Sequence, residues 1–127
     1  MFALKYKPTE SELDILQILW KQGPSTVKNV HEIILLHKDT GYTTTLKLMQ
    51  IMTDKGLITR ELNGKTHIYS ALLGEDSLKT SAVTELVEEV FDGSALEMVI
   101  QTLGHYKPNE AELEEIKQLI QQLENKS

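Results

Sequence analysis

Apolar and polar positions follow two different periods along this chain, and the places where the period changes divide it. Leu13, Leu16, Leu19 and Trp20 recur at helical spacing, thickened by Ile15 and Ile18. They follow Thr9-Glu-Ser-Glu12, a capping box in which Thr9 and Glu12 can each satisfy an orphan donor. A stripe this broad predicts a helix buried on more than one side, ending near Gly23-Pro24. Ser25 or Thr26 can cap the next helix, in which Val27, Val30, Ile33, Ile34 and Leu36 are expected to face inward. After a polar loop from His37 to Gly41, a third helix is predicted from Thr43-Thr-Thr45 to Gly56. The threonine hydroxyls are expected to cap it, and Gly56 to end it in the left-handed conformation. Leu48, Met49 and Met52 face inward, leaving Thr43, Lys47, Gln50 and Asp54 on an outer face without a large apolar residue.

Beyond Gly56 the period falls to two. Leu57–Leu62 and Lys65–Ala71 are expected as strands separated by Asn63-Gly64, a two-residue turn in which both residues take positive φ. A lone hairpin is marginal in water, so Leu57, Ile58, Ile68 and Tyr69 should hold it to the helices. Behind the hairpin the helical period returns. Leu78, Ala82, Leu86 and Val90 form one apolar face, flanked by Val83, Val87 and Phe91. Leu96, Val99, Ile100 and Leu103 form a second after Gly93-Ser94. Leu113, Ile116, Ile120 and Leu123 form a third, with Leu119 beside them, behind a capping box of Asn109 and Glu112. The expected fold class is therefore mainly α with a small β-hairpin. Residues 1–73 have the element order of a winged helix-turn-helix, with the hairpin as wing, and 74–127 form an all-α dimerisation region.

Composition changes this picture in only a few places. The 127 residues are 40% hydrophobic and 25% charged, which describes a globular protein. No apolar run reaches the eighteen or so residues that span a membrane. Met1-Phe-Ala-Leu-Lys-Tyr-Lys7 is interrupted by lysine too early for a signal peptide, so the cytoplasm is the expected compartment. The absence of cysteine excludes a disulfide framework, a thiolate metal site and a thiol nucleophile. The net charge of −6 conceals an asymmetry. Residues 1–73 carry nine Lys/Arg against seven Asp/Glu, or +2, whereas 74–127 carry four against twelve, or −8. Only the front half suits a phosphate backbone, and only weakly.

Taken alone, the third helix would be an ordinary surface helix with a threonine cap; its neighbours point to DNA. In a major groove, Thr43, Thr44 and the helix N-terminus can hold phosphate while Lys47 and Gln50 reach base edges. Arg60 and Lys65, with His67 nearby, place positive charge on the hairpin where a wing meets the backbone. Three short amphipathic helices after a complete winged helix have little to bury against within the chain. A two-fold twin is expected to cover them, through Leu86, Val90, Leu113, Ile116, Ile120 and Leu123, the alternative being that they pack onto their own winged helix. His31, His37, His67 and His105 show no metal-ligand spacing, and there is no phosphate-cradling glycine loop or nucleophile elbow. An enzyme is not expected, nor a metal or other cofactor. The rival from another class is a winged helix used as a protein-interaction module, with the acidic rear half binding a partner protein.

Residues 9–71 resemble the penicillinase and methicillin-resistance repressors and their copper-responsive relatives. The matching pieces are Thr9–Trp20, Val27-Lys-Asn-Val30, Tyr42-Thr-Thr-Thr45, Asp54-Lys-Gly56 and Ile68-Tyr-Ser70. The rear half is similar through Leu86–Ser94 and Asn109–Ile116. The resemblance implies a dimeric transcriptional repressor, with double-stranded DNA carrying a palindromic operator as its partner. It also implies a regulatory protease, here of unknown identity. The departures are informative. The middle of the recognition helix, usually basic in the family, holds Gln50 and Ile51. The cysteine cluster of the copper-responsive branch is missing. The Asn-Phe bond cleaved in the β-lactamase repressors is replaced by Gln101-Thr102, so release by that cleavage is not implied.

Overall fold

A computed structural model of the chain describes residues 7–126; the N-terminal stretch up to Tyr6 lies outside the described residues. The elements run α1 (Glu10–Gln22), α2 (Val27–Ile34), α3 (Tyr42–Lys55), β1 (Ile58–Asn63), β2 (Thr66–Ala71), α4 (Glu75–Glu89), α5 (Ala95–His105) and α6 (Glu110–Asn125). The chain divides into two compact units that meet at Val83 and Thr84, inside α4. The change in sequence pattern falls earlier, at 73/74.

In the first unit the predicted caps form where α1 and α2 begin. Thr9 Oγ1 accepts from the Glu12 N–H at 3.2 Å, and Glu12 Oε1 accepts from the Thr9 N–H at 2.8 Å. Thr26, rather than Ser25, caps α2 by accepting from the Asn29 N–H at 3.1 Å. Ile15, Leu16 and Leu19 of α1, Val27 and Val30 of α2, Met49 and Met52 of α3, and Leu57, Ile58 and Tyr69 of the hairpin form one buried cluster. Each such side chain contributes about 1.5–3 kcal/mol by leaving water. The hairpin is thus anchored by Leu57, Ile58 and Tyr69 as expected, with Ile68 half-buried. Ser25, between α1 and α2, adds a short third rung: its N–H donates to Tyr69 O at 2.9 Å and its carbonyl accepts from the Tyr69 N–H at 2.8 Å.

Four expectations need correction. The N-cap of α3 is Gly41, with no side-chain cap, and the threonines lie inside the first turns. Thr45 is buried and its hydroxyl is used sideways, 2.9 Å from His31 Nδ1, which sets the helix phase without a cap. Leu36 faces outward, 76% exposed, because α2 ends at Ile34 and the chain turns away before Leu36 can reach the core. The outer face of α3 does carry large apolar groups, Tyr42 and Ile51. Finally, Asn63 pairs with Thr66, so the turn is Gly64-Lys65; among these residues only Gly64 has positive φ, at 66°. One glycine in the first central position suffices for such a turn.

In the second unit Ser94 and Asn109 cap α5 and α6, Asn109 forming its half of the expected capping box. Ser94 accepts from the Glu97 N–H at 3.1 Å, and Asn109 Oδ1 from the Glu112 N–H at 2.8 Å. What is missing is a core: neither α5 nor α6 contains a buried residue.

Candidate nucleic-acid interface

The site is built on α3, whose inward face is fixed at both ends. Near its start, the Thr45 hydroxyl meets His31 of α2, and the His31 ring stands edge-on to Tyr42 at 5.6 Å between centroids. At its end, Lys55 Nζ lies 2.8 Å from Glu12 Oε2 on α1. The same Glu12 carboxylate closes the α1 capping box through its other oxygen, so one 1%-exposed group ties the start of α1 to the end of α3. Burial alone would raise the Glu12 pKa, but the Lys55 ammonium and the Thr9 N–H and hydroxyl outweigh it and hold the carboxyl below its ordinary value. Gly56, at φ 80°, then ends the helix in the left-handed conformation, its N–H directed to Met52 O and Thr53 O. α3 is therefore tied to its neighbours at both ends, with a defined outward face.

That outward face carries Thr43, Thr44, Lys47, Gln50, Ile51 and Asp54, all exposed. It presents hydroxyls and free N–H groups at the positive end of the helix, then a cation and an amide, with a carboxylate only near the far end. Thr43, Thr44, Lys47 and Gln50 thus lie on one exposed side of α3.

The wing divides the remaining two predicted residues. Lys65 is in the turn, and with Thr66 and His67 it lines a groove of about 600 Å³ whose other wall is Thr26, Lys28 and Asn29 of α2 with Tyr42 and Leu46 of α3. Arg60 is exposed in β1 opposite Tyr69 and does not line that groove. The groove adds candidates that sequence reasoning passed over: Lys28 and Asn29 in the first turn of α2, and Tyr42 at the first turn of α3. The available signal was Thr26, because a capped helix start aims N–H groups and any nearby lysine at the same anion.

The predicted dimerisation residues all fall in the second unit. Leu86 is in α4, Val90 just past its end, and Leu113, Ile116, Ile120 and Leu123 are in α6. All are exposed except Ile116, which is half-buried. Leu113, Ile116, Ile120 and Leu123 share one side of α6 by their spacing. Among the described residues no helix is long and apolar enough to cross a membrane.

Three helices, a hairpin wing behind the third, and a short rung between the first two define a winged helix-turn-helix. The penicillinase repressor family model matches residues 8–122. This chain belongs to that family, and so to the transcriptional repressors built on a winged-helix DNA-binding fold. Among curated relatives, the methicillin resistance regulatory protein MecI of Staphylococcus aureus (strain N315) is 23% identical over 115 residues, covering 91% of this chain and 94% of the relative. The transcriptional regulator BlaI of Mycobacterium tuberculosis (strain ATCC 25618 / H37Rv) is 26% identical over 85 residues, 66% of this chain and 62% of the relative. Among solved structures, MepR, a transcription regulator of the Staphylococcus aureus multidrug efflux pump MepA, is 18% identical with a TM-score of 0.49, covering 94% of this chain and 80% of that one.

Proposed function

We propose that this protein represses transcription by binding a palindromic operator as a homodimer. α3 enters the major groove of each half-site, where Thr43 and Thr44 hold the phosphate-sugar edge and Lys47 and Gln50 read bases. Arg60 and Lys65 rest on the backbone through the wing, and Lys28 joins Lys65 across the groove beside α3. The second unit, residues 84–127 with the adjoining start of α4, joins two copies through Leu86, Val90, Leu113, Ile116, Ile120 and Leu123. The observation that carries the DNA half of this reading is the outer face of α3, mostly polar and exposed on a helix held at both ends. Support for the dimer comes from α5 and α6, in which no residue is fully buried. The twelve acidic residues of 74–127 keep that region off the phosphates.

Gel shifts with the chain's own promoter region, with and without competitor DNA, test the proposal against a protein-interaction role. A retarded band that survives random competitor supports it; the absence of any band at micromolar protein refutes it. The inducing signal is a separate matter. Gln101-Thr102 lies within α5, and the Thr102 hydroxyl donates to Met98 O at 2.7 Å. A protease acting at that bond would first have to open the helix.

A further inference from the structure

Ile51 is the unexpected residue on the DNA-facing surface. It sits one helical turn after Lys47 and next to Gln50, and it is 38% exposed. Single exposed apolar side chains are common and mean little by themselves. Position gives this one its meaning. On one side it borders Leu48 and Lys55, both half-buried, and on the other it meets the exposed polar groups Thr44, Lys47 and Asp54, so it stands where the apolar side of α3 gives way to the polar outward face. The core side of α3 is already filled by Thr45, Met49 and Met52. In a major groove the one apolar feature on a base edge is the C5-methyl of thymine, and apolar side chains recognise it by excluding water.

The geometry points to Ile51 as a specificity-determining residue that packs on a thymine methyl in each half-site. This rests on the proposed role of α3 as the reading helix, and deepens it by naming the base-edge group that Ile51 takes. Gln50, adjacent to it, offers the amide that pairs with adenine N6 and N7. The two together favour an A·T-containing step beneath the middle of α3. A cation at the position of Ile51 would favour guanine there instead.

The test uses the full chain and a pool of random-sequence duplexes. Selection should enrich a thymine at one position of each half-site. Replacing that thymine by deoxyuridine removes only the methyl and leaves the protein untouched. Wild-type affinity should then fall about fourfold per half-site, the equivalent of one buried methyl. Ile51→Ala, a change at an exposed position, should bind the thymine and uracil duplexes equally and match the wild type on uracil to within about twofold. Equal wild-type affinity for thymine and uracil, or an unchanged preference for thymine in Ile51→Ala, overturns the inference while leaving α3 as the reading helix. Failure of the wild type to enrich any sequence overturns both.

Discussion

The two units of this chain carry similar apolar patterns and meet opposite fates. In α1, α2, α3 and the hairpin, the patterned residues close on one another as a single buried cluster. In α5 and α6, whose starts are capped by Ser94 and Asn109, most of the patterned residues stay exposed, with Leu103 and Ile116 half-buried. An amphipathic pattern states which side of a helix seeks cover but not what supplies it. In the first unit the cover is the chain itself. In the second, the proposed dimer would supply it, since a twin offers the same stripe in return.

This contrast is most directly broken in α6. Ile116→Glu with Ile120→Glu should give monomers at micromolar concentration, since two carboxylates buried unpaired cost several kcal/mol. Sedimentation should show the halved mass while the circular dichroism of the first unit persists. Operator affinity should fall steeply, because the second half-site is no longer met at high effective concentration. A double mutant that stays dimeric places the interface elsewhere; a monomer that binds as tightly as before removes dimerisation from recognition.

The counterpart in the first unit is Glu12. Glu12→Ala should destabilise that unit by about 3 kcal/mol, through removal of the capping box and of the Lys55 pair, without changing the oligomeric mass. The sign of its pH dependence follows from the lowered folded pKa. Its contribution is complete above the ordinary glutamate value of about 4.3. It is lost as pH falls through that value toward the lower folded one. Urea melts between about pH 6 and pH 3 should therefore show a steeper loss of stability in the wild type than in Glu12→Gln. Parallel curves would mean that the Lys55 ion pair adds nothing.

How much of the molecule is legible in the sequence depends on whether a residue has one local use or several. Thr9 and Glu12 could serve only as a capping box, and they do. Gly56 could serve only as a left-handed stop. The threonines of α3 have a second use, because a tertiary partner, His31, takes the Thr45 hydroxyl; the helix then starts from Gly41. The hairpin turn lies one residue from its expected place for a related reason. Pairing Asn63 with Thr66 instead of Leu62 with Lys65 slides the register by two, which leaves every side chain on its own face. Alternation cannot separate the two registers. The site is legible as a polar face, but Lys28 and Tyr42 join it only through the groove between α2, α3 and the wing, which no linear pattern displays.

Within the first unit, the clamped helix and the hairpin should differ in what they recognise. Lys47→Ala and Gln50→Ala should each weaken operator binding by roughly 1–3 kcal/mol where the side chain reads a base, and leave random DNA nearly unaffected. Equilibrium titrations on cognate and scrambled duplexes measure both. Unchanged affinity in both variants would take α3 out of the reading role and leave the wing as the principal DNA-binding element.

The smallest effect belongs to the wing, and it is best seen in salt dependence rather than in affinity at one condition. Arg60 and Lys65 are exposed cations on the hairpin, Arg60 in β1 on the face it shares with Tyr69 and Lys65 in the turn. They are placed to meet phosphate. Binding to phosphate carries no sequence information, so Arg60→Ala with Lys65→Ala should weaken cognate and random DNA by the same factor. Each phosphate left without its cation should reduce the slope of log affinity against log salt by about 0.9. The single mutants sharpen the point. Lys65 shares a groove with Lys28 and the start of α3, and Arg60 does not, so Lys65→Ala should account for the larger part of the change. An undiminished slope in the double mutant would show that the hairpin stays off the DNA. Recognition would then fall to α3 and the start of α2 alone.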